Sequence, residues 1–342
     1  MLQSKQGSLT EIEQILEKAK ELGGLAQLET LAEVDDQRGR KFPILKLTMG
    51  NPDPRAPVLG FIGGVHGLER IGAQVCLAYL NSFTKMMVWD ELTQYALKKI
   101  RLFFIPTVNP AGIFHLTRSN PRGVDLMRNS PTEGEDPSWM VGGQRISPKL
   151  PWYRGQVGEL EVESKALITA VTKEIAQSSC AITVDVHSGF GMQDQIWLPY
   201  AKTKLPFPHL AEAHSLFELF DQTYPYHFYR IEPQAANYTT HGDIWDHIYD
   251  DILGQRPDMT YLPLALEMGS WMWVKKNPLQ LFTPAGPFNP IKKHRERRIL
   301  RRHNTLFEFL IKAMSSSATW NSLSEDQKHK HKIRAQERWY GK

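Results

Sequence analysis

The chain has 342 residues, of which 41% are hydrophobic and two are cysteine, with a formal net charge of +4. That composition supports a sizeable core and excludes a disulfide-built scaffold, and no run approaches the length of a membrane span. So modest a charge calls for neither a nucleic-acid nor a membrane partner.

Residues 8–22 open the chain as a helix, with Ser8-x-x-Glu11 in the pattern of a capping box. Strands are expected near 26–35 and 42–49, followed by the apolar run 56–65, a buried strand that leads into glycines. Helices follow at 70–85 and 89–98, then a strand at 100–107 that enters the turn Asn109-Pro110-Ala111-Gly112. Residues 129–158 form a long irregular stretch, of the kind that often carries function. A helix at 160–177 leads into the apolar strand 180–189, which contains His187. Residues 190–240, aromatic and rich in proline, include a helix near 208–222 and read as one wall of a pocket. Another apolar strand reaches Glu267, and a helix at 289–314 closes the domain. Its basic run 292–302 is the solvated side of a helix whose apolar face carries Ile291, Leu300, Leu306, Phe307, Phe309 and Leu310. Residues 1–314 thus read as one α/β domain, a mixed and largely parallel sheet covered by helices on both faces. The polar, basic tail 315–342 reads as a frayed helix or disordered arm.

Ionisable residues at the ends of apolar strands carry the chemistry. His66 and Glu69 lie just past the strand 56–65, at the carboxyl edge where α/β proteins keep their sites. An imidazole and a carboxylate are two of the three protein ligands of a catalytic zinc, whose fourth position takes water. His187 supplies a third ligand, and Glu267 is left as a carboxylate able to deprotonate that water.

In this order the segments resemble the zinc carboxypeptidase family, from about Leu25 to about Leu310. His66-Gly-Leu-Glu69 is similar to its His-Gly-x-Glu zinc motif, and Asn109-Pro-Ala-Gly112 to its Asn-Pro-Asp-Gly turn. Arg118-Ser-Asn-Pro-Arg-Gly-Val-Asp125-Leu-Met-Arg128-Asn resembles Arg-x-Asn-x-x-Gly-Val-Asp-Leu-Asn-Arg-Asn. Tyr153, Gly155 and the segment 160–167 match its Ser-Glu-Pro-Glu-Thr-x-Ala-Leu helix start. Asp185-Val-His187-Ser188, Tyr238 with Gly242-Asp243, and Leu266-Glu267-Met268-Gly269 complete the series.

The resemblance implies one zinc per chain on His66, Glu69 and His187, with Asp125 orienting a ligand imidazole and Glu267 as general base. It implies Arg118 for the oxyanion, Arg128 as clamp on a terminal carboxylate, and Tyr238 and Ser188 in the substrate site. Two positions depart from the family. Met127 stands where it has asparagine, removing a charge-assisted hydrogen bond of about 1.5–3 kcal/mol from the carboxylate site. Trp245 falls at the floor of the side-chain pocket and predicts a shallow, aromatic-walled pocket for small or flat apolar residues. Hydrolysis of a C-terminal amide bond in a peptide or peptide-like metabolite is the function implied. The alternatives are an N-acyl amino acid deacylase of the aspartoacylase and succinylglutamate desuccinylase type, and a metal-binding module without catalysis. With no leader at residues 1–7, and with Cys76 and Cys180 at predicted buried positions, the expected location is cytoplasmic.

Overall fold

The computed structural model describes residues 9–139 and 141–341. Among these, the strands are β1 (Ala26–Asp35), β2 (Lys41–Gly50), β3 (Val58–Gly63), β4 (Arg101–Ile105), β5 (Cys180–Ser188), β6 (Gln195–Leu198), β7 (Arg230–Pro233) and β8 (Thr260–Met268). They form one sheet in the order β1-β2-β4-β3-β5-β8-β6-β7. β4, β3, β5 and β8 run parallel, while β1, β2 and β6 join through antiparallel pairings. Every residue of β3 and β5 is buried, the pattern of parallel strands covered on both faces. The helix Arg70–Trp89 packs on β3 and β5, Asn304–Ser315 on β3, Val162–Ile175 on β1, and Ile244–Gln255 on β8. The sheet is therefore mixed with a parallel centre, as the alternation of strand and helix indicates.

Elsewhere the chain departs from the expectation in ways its local chemistry explains. Ser8 lies outside the described residues; Glu11 is buried and accepts from Arg70 Nε at 2.5 Å. The first long helix runs on to Trp89, and Asp90 then caps Glu91–Lys99 by accepting from the Leu92 and Thr93 amides. Segment 190–240 holds β6 and β7 besides the helix Leu210–Thr223. The closing helix is two, Lys293–Arg302 and Asn304–Ser315, separated at His303, whose buried ring faces the Tyr229 hydroxyl at 2.9 Å.

The tail is also ordered. Ala318–Asn321 and Glu325–Trp339 are helical, and Ser324 opens the second with a reciprocal capping box to Gln327. Buried Trp320, Ala335 and Trp339 anchor this polar segment, which packs on Leu210–Thr223. A few well-spaced apolar side chains outweigh a polar average. No helix among the described residues is long and apolar enough to cross a membrane.

Candidate metal centre and active site

The site grows from the carboxyl ends of β3, β5 and β8. After β3 the chain turns through His66 to Glu69 and at once enters the helix Arg70–Trp89. Two glycines allow the approach: a Cβ on Gly67 would meet the Gly112 backbone at 2.0 Å, and one on Gly72 would meet the Val186 carbonyl oxygen at 2.1 Å. The helix therefore lies tight against β5 and brings Glu69 beside His187. Across the next pairing, His187 is in register with Glu267 of β8. Asp185, two residues before His187, points to the same face because strand side chains alternate.

His66, Glu69 and His187 are buried, and their ligand atoms lie within 4.8 Å of one another. His66 Nδ1 is 2.8 Å from Glu69 Oε1, and His187 Nδ1 is 3.0 Å from Glu69 Oε2. Both Nδ1 atoms thus converge on the carboxylate, while each Nε2 turns away to a second carboxylate. These donors fit a zinc ion: two imidazole nitrogens and a carboxylate oxygen are its common ligands, already gathered and backed by carboxylates. Burial opposes charge on His187, but Asp185 and Glu69 raise it well above the usual imidazole value. Burial likewise opposes charge on Glu69, yet the two imidazoles hold it well below the usual carboxylate range.

Asp125 is the hub of one side. Its Oδ1 lies 3.0 Å from His66 Nε2 and accepts from the Met127 amide at 3.2 Å. Its Oδ2 accepts from Arg118 Nε at 3.0 Å and Arg128 Nη1 at 3.1 Å. Despite complete burial, these cations hold the Asp125 carboxyl well below its ordinary value. Arg118 also reaches Glu69 Oε1 through Nη1 at 3.2 Å. Arg128 gives its Nε to the Val141 carbonyl at 2.9 Å. Asp185 is the counterpart behind His187, with Oδ2 at 2.7 Å from its Nε2.

A cavity of about 500 Å³ opens over these residues and reaches both arginines, Met127, Ser188, Tyr238 and Glu267. Glu267 Oε1 accepts from the Phe190 amide at 2.9 Å; burial and the nearby Glu69 carboxylate push its carboxyl up to about 8. Tyr238 stands against Phe190 and Trp197, with ring centroids 5.8 and 6.0 Å away, and burial pushes its hydroxyl up to about 12. Ser188 donates its amide to Glu69 Oε2 at 3.0 Å and its hydroxyl to the Phe288 carbonyl at 2.8 Å.

Trp245 does not floor this cavity. Asp243 caps the helix Ile244–Gln255, so residue 245 lies in the first turn and its buried indole Nε1 donates to Asp185 Oδ2 at 2.8 Å. The aromatic walls come instead from Trp152, Phe190, Trp197, Tyr238, Trp271 and Phe288, with Asp243 among the lining residues. Burial pushes the Asp243 carboxyl up to about 6. Asp185 and Asp243 escape a reading by strand ends. The available signal for Asp185 is a charged residue inside an otherwise apolar strand, two positions from a ligand.

Comparison with known proteins shows the family. A family model described as zinc carboxypeptidase matches residues 36–294, and the chain belongs to that family. Mouse (Mus musculus) mast cell carboxypeptidase A is 24% identical over 256 residues, covering 70% of this chain and 57% of the mouse protein. Rat (Rattus norvegicus) carboxypeptidase A1 is 24% identical over 187 residues, covering 52% of this chain and 43% of the rat protein. The chain therefore spans roughly half the length of these curated relatives. Among solved structures, bovine thrombin-activatable fibrinolysis inhibitor, in complex with tick carboxypeptidase inhibitor, shares the fold. It has a TM-score of 0.64 at 19% identity, over 92% of this chain and 98% of that one. Carboxypeptidase A from Helicoverpa armigera has a TM-score of 0.56 at 16% identity, over 85% and 71% of the two chains.

Proposed function

We propose that this chain is a zinc-dependent carboxypeptidase that hydrolyses the C-terminal amide bond of a peptide or peptide-like metabolite. The observation that carries the reading is Glu267, a buried carboxyl in register with His187 and on the cavity wall beside the gathered ligand trio. His66, Glu69 and His187 would hold one zinc, which when bound acidifies water and polarises a carbonyl. With its carboxyl ionised, as the charge of a bound zinc would favour, Glu267 takes the proton from the attacking water and returns it to the leaving amine, a general-base role. Arg118, held by Asp125 and Glu69, offers positive charge where the oxyanion develops; removing such a donor typically costs about 3–4 kcal/mol.

Arg128 binds the terminal carboxylate. Two of its nitrogens are committed to Asp125 and Val141, and its Nη2 makes no protein hydrogen bond among the described residues. Met127 lines the cavity next to it and offers the carboxylate an apolar neighbour in place of an amide. Tyr238 closes over the substrate from the aromatic wall. That wall, rather than Trp245, now supports a preference for small or flat apolar terminal side chains. Buried and unpaired Cys76 and Cys180 support a reducing, cytoplasmic location.

Mass-spectrometric screening of the zinc-loaded protein against dipeptides, longer peptides and acyl-amino acids tests the reading. Release of single apolar C-terminal residues is expected. Cleavage confined to acyl-amino acids contradicts it, and a preference for terminal Lys or Arg contradicts the pocket assignment.

A further inference from the structure

A second group of metal-type donors lies away from the catalytic cavity, where the C-terminal helix Glu325–Trp339 packs on the helix Leu210–Thr223. His214 and Glu218 are four residues apart, so one turn of helix sets them on the same face. From the opposing helix His331 points at both. His214 Nδ1 and His331 Nδ1 are 3.0 Å apart, and His331 Nδ1 lies 3.9 Å from Glu218 Oε2. All three ligand atoms fall within 4.8 Å of one another.

Two nitrogens facing each other can share only one proton between them. A zinc ion with Zn–N bonds of ~2.0–2.1 Å and tetrahedral angles places its ligating nitrogens ~3.3–3.4 Å apart, so the two imidazoles need shift only a few tenths of an ångström, while the Glu218 carboxylate, 3.9 Å from His331, must swing further inward. The surroundings suit a fixed site. His214 is 5% exposed, its ring packed edge-on against Trp339 at 5.8 Å. Glu218 is held from behind by Arg334 Nη1, which donates to Oε1 at 3.0 Å and leaves Oε2 toward the histidines. The neighbouring Arg338 is neutralised by Asp221, to which it donates at 2.7 Å. His331 lies beyond the region matched to the family, which ends at residue 294.

We infer that His214, Glu218 and His331 bind a divalent transition metal of the zinc type, which staples the C-terminal helix to the body of the protein. With three protein ligands and solvent at the outer position, this site binds more weakly than a closed four-ligand one. Imidazole and carboxylate donors select such an ion over calcium or magnesium, which prefer all-oxygen shells.

Zinc stoichiometry of the full chain, measured by equilibrium dialysis, tests the inference. His331→Ala should bind one zinc fewer than the unchanged protein, and so should Glu218→Gln, which keeps the side-chain volume. His329→Ala, on the same helix, should lose none. Hydrogen exchange should show zinc slowing the amides of 325–339 in the unchanged protein and not in His331→Ala. Because the readout is a difference of one equivalent, it stands whether or not the catalytic centre binds zinc. Equal stoichiometry in the unchanged protein and both ligand variants overturns the inference. So does an equal loss in His329→Ala, which would mark unspecific binding by a histidine-bearing helix.

Discussion

The two histidines of the candidate metal trio are backed in different ways. Asp125, behind His66, engages both oxygens: His66 and the Met127 amide on one, Arg118 and Arg128 on the other. Asp185, behind His187, carries His187 and the Trp245 indole on a single oxygen, and its other oxygen is buried without a partner among the described residues. Asp125 therefore has arginine charge to balance it with or without metal. For Asp185 the balancing charge would come from a proton on His187, or from a metal bound there in its place. One side of the centre is prebuilt, and the other is completed by what binds.

Replacing each hub should expose this asymmetry. Asp125→Asn removes the charge that orients one ligand and both arginines, so kcat/KM should fall at least about 100-fold, at or beyond the upper end for such partners. A fall no larger than that of Asp185→Asn would remove Asp125 from its place as hub. Asp185→Asn should cost about tenfold, mainly through zinc affinity. It also bears on protons. His187 is held well above its ordinary value, so a zinc ion bound there would displace a proton. Zinc affinity should then rise with pH, by up to about tenfold per unit for each proton displaced, and level off above the raised value. Calorimetry in buffers of different ionisation enthalpy should detect that proton, reduced in Asp185→Asn and retained in Asp125→Asn. Equal proton release in both variants would contradict the asymmetry. The smallest effect is expected from Trp245→Phe, about a few-fold in zinc affinity, since Asp185 still holds His187 directly. A change in side-chain preference in that variant would return Trp245 to the substrate pocket.

Much of this centre is legible in the sequence because an apolar strand that stops on a charged residue has few other uses. His187 and Glu267 are of that kind, His66 and Glu69 lie in the turn just past a third such strand, and the structure brings the four together at the carboxyl edge of neighbouring strands. The arginines and Tyr238 come from resemblance alone, since their contacts cross long loops. What escapes depends on partners distant in the chain. β6 and β7 have only four residues each, and β6 pairs with β8 far along the sequence. Trp245 is assigned by resemblance to the pocket floor, whereas Asp243 starts a helix there and the indole turns to Asp185. The C-terminal helix escapes because the contacts of Trp320 and Trp339 are invisible in an average of charge and polarity.

Glu267 is proposed to move the proton while His66, Glu69 and His187 hold the metal. Zinc content and turnover measured together on Glu267→Gln test it most directly. Zinc at the catalytic centre should be retained and kcat should fall by about 10²–10⁴-fold. Full turnover in that variant, or loss of the catalytic zinc with it, would contradict the assignment.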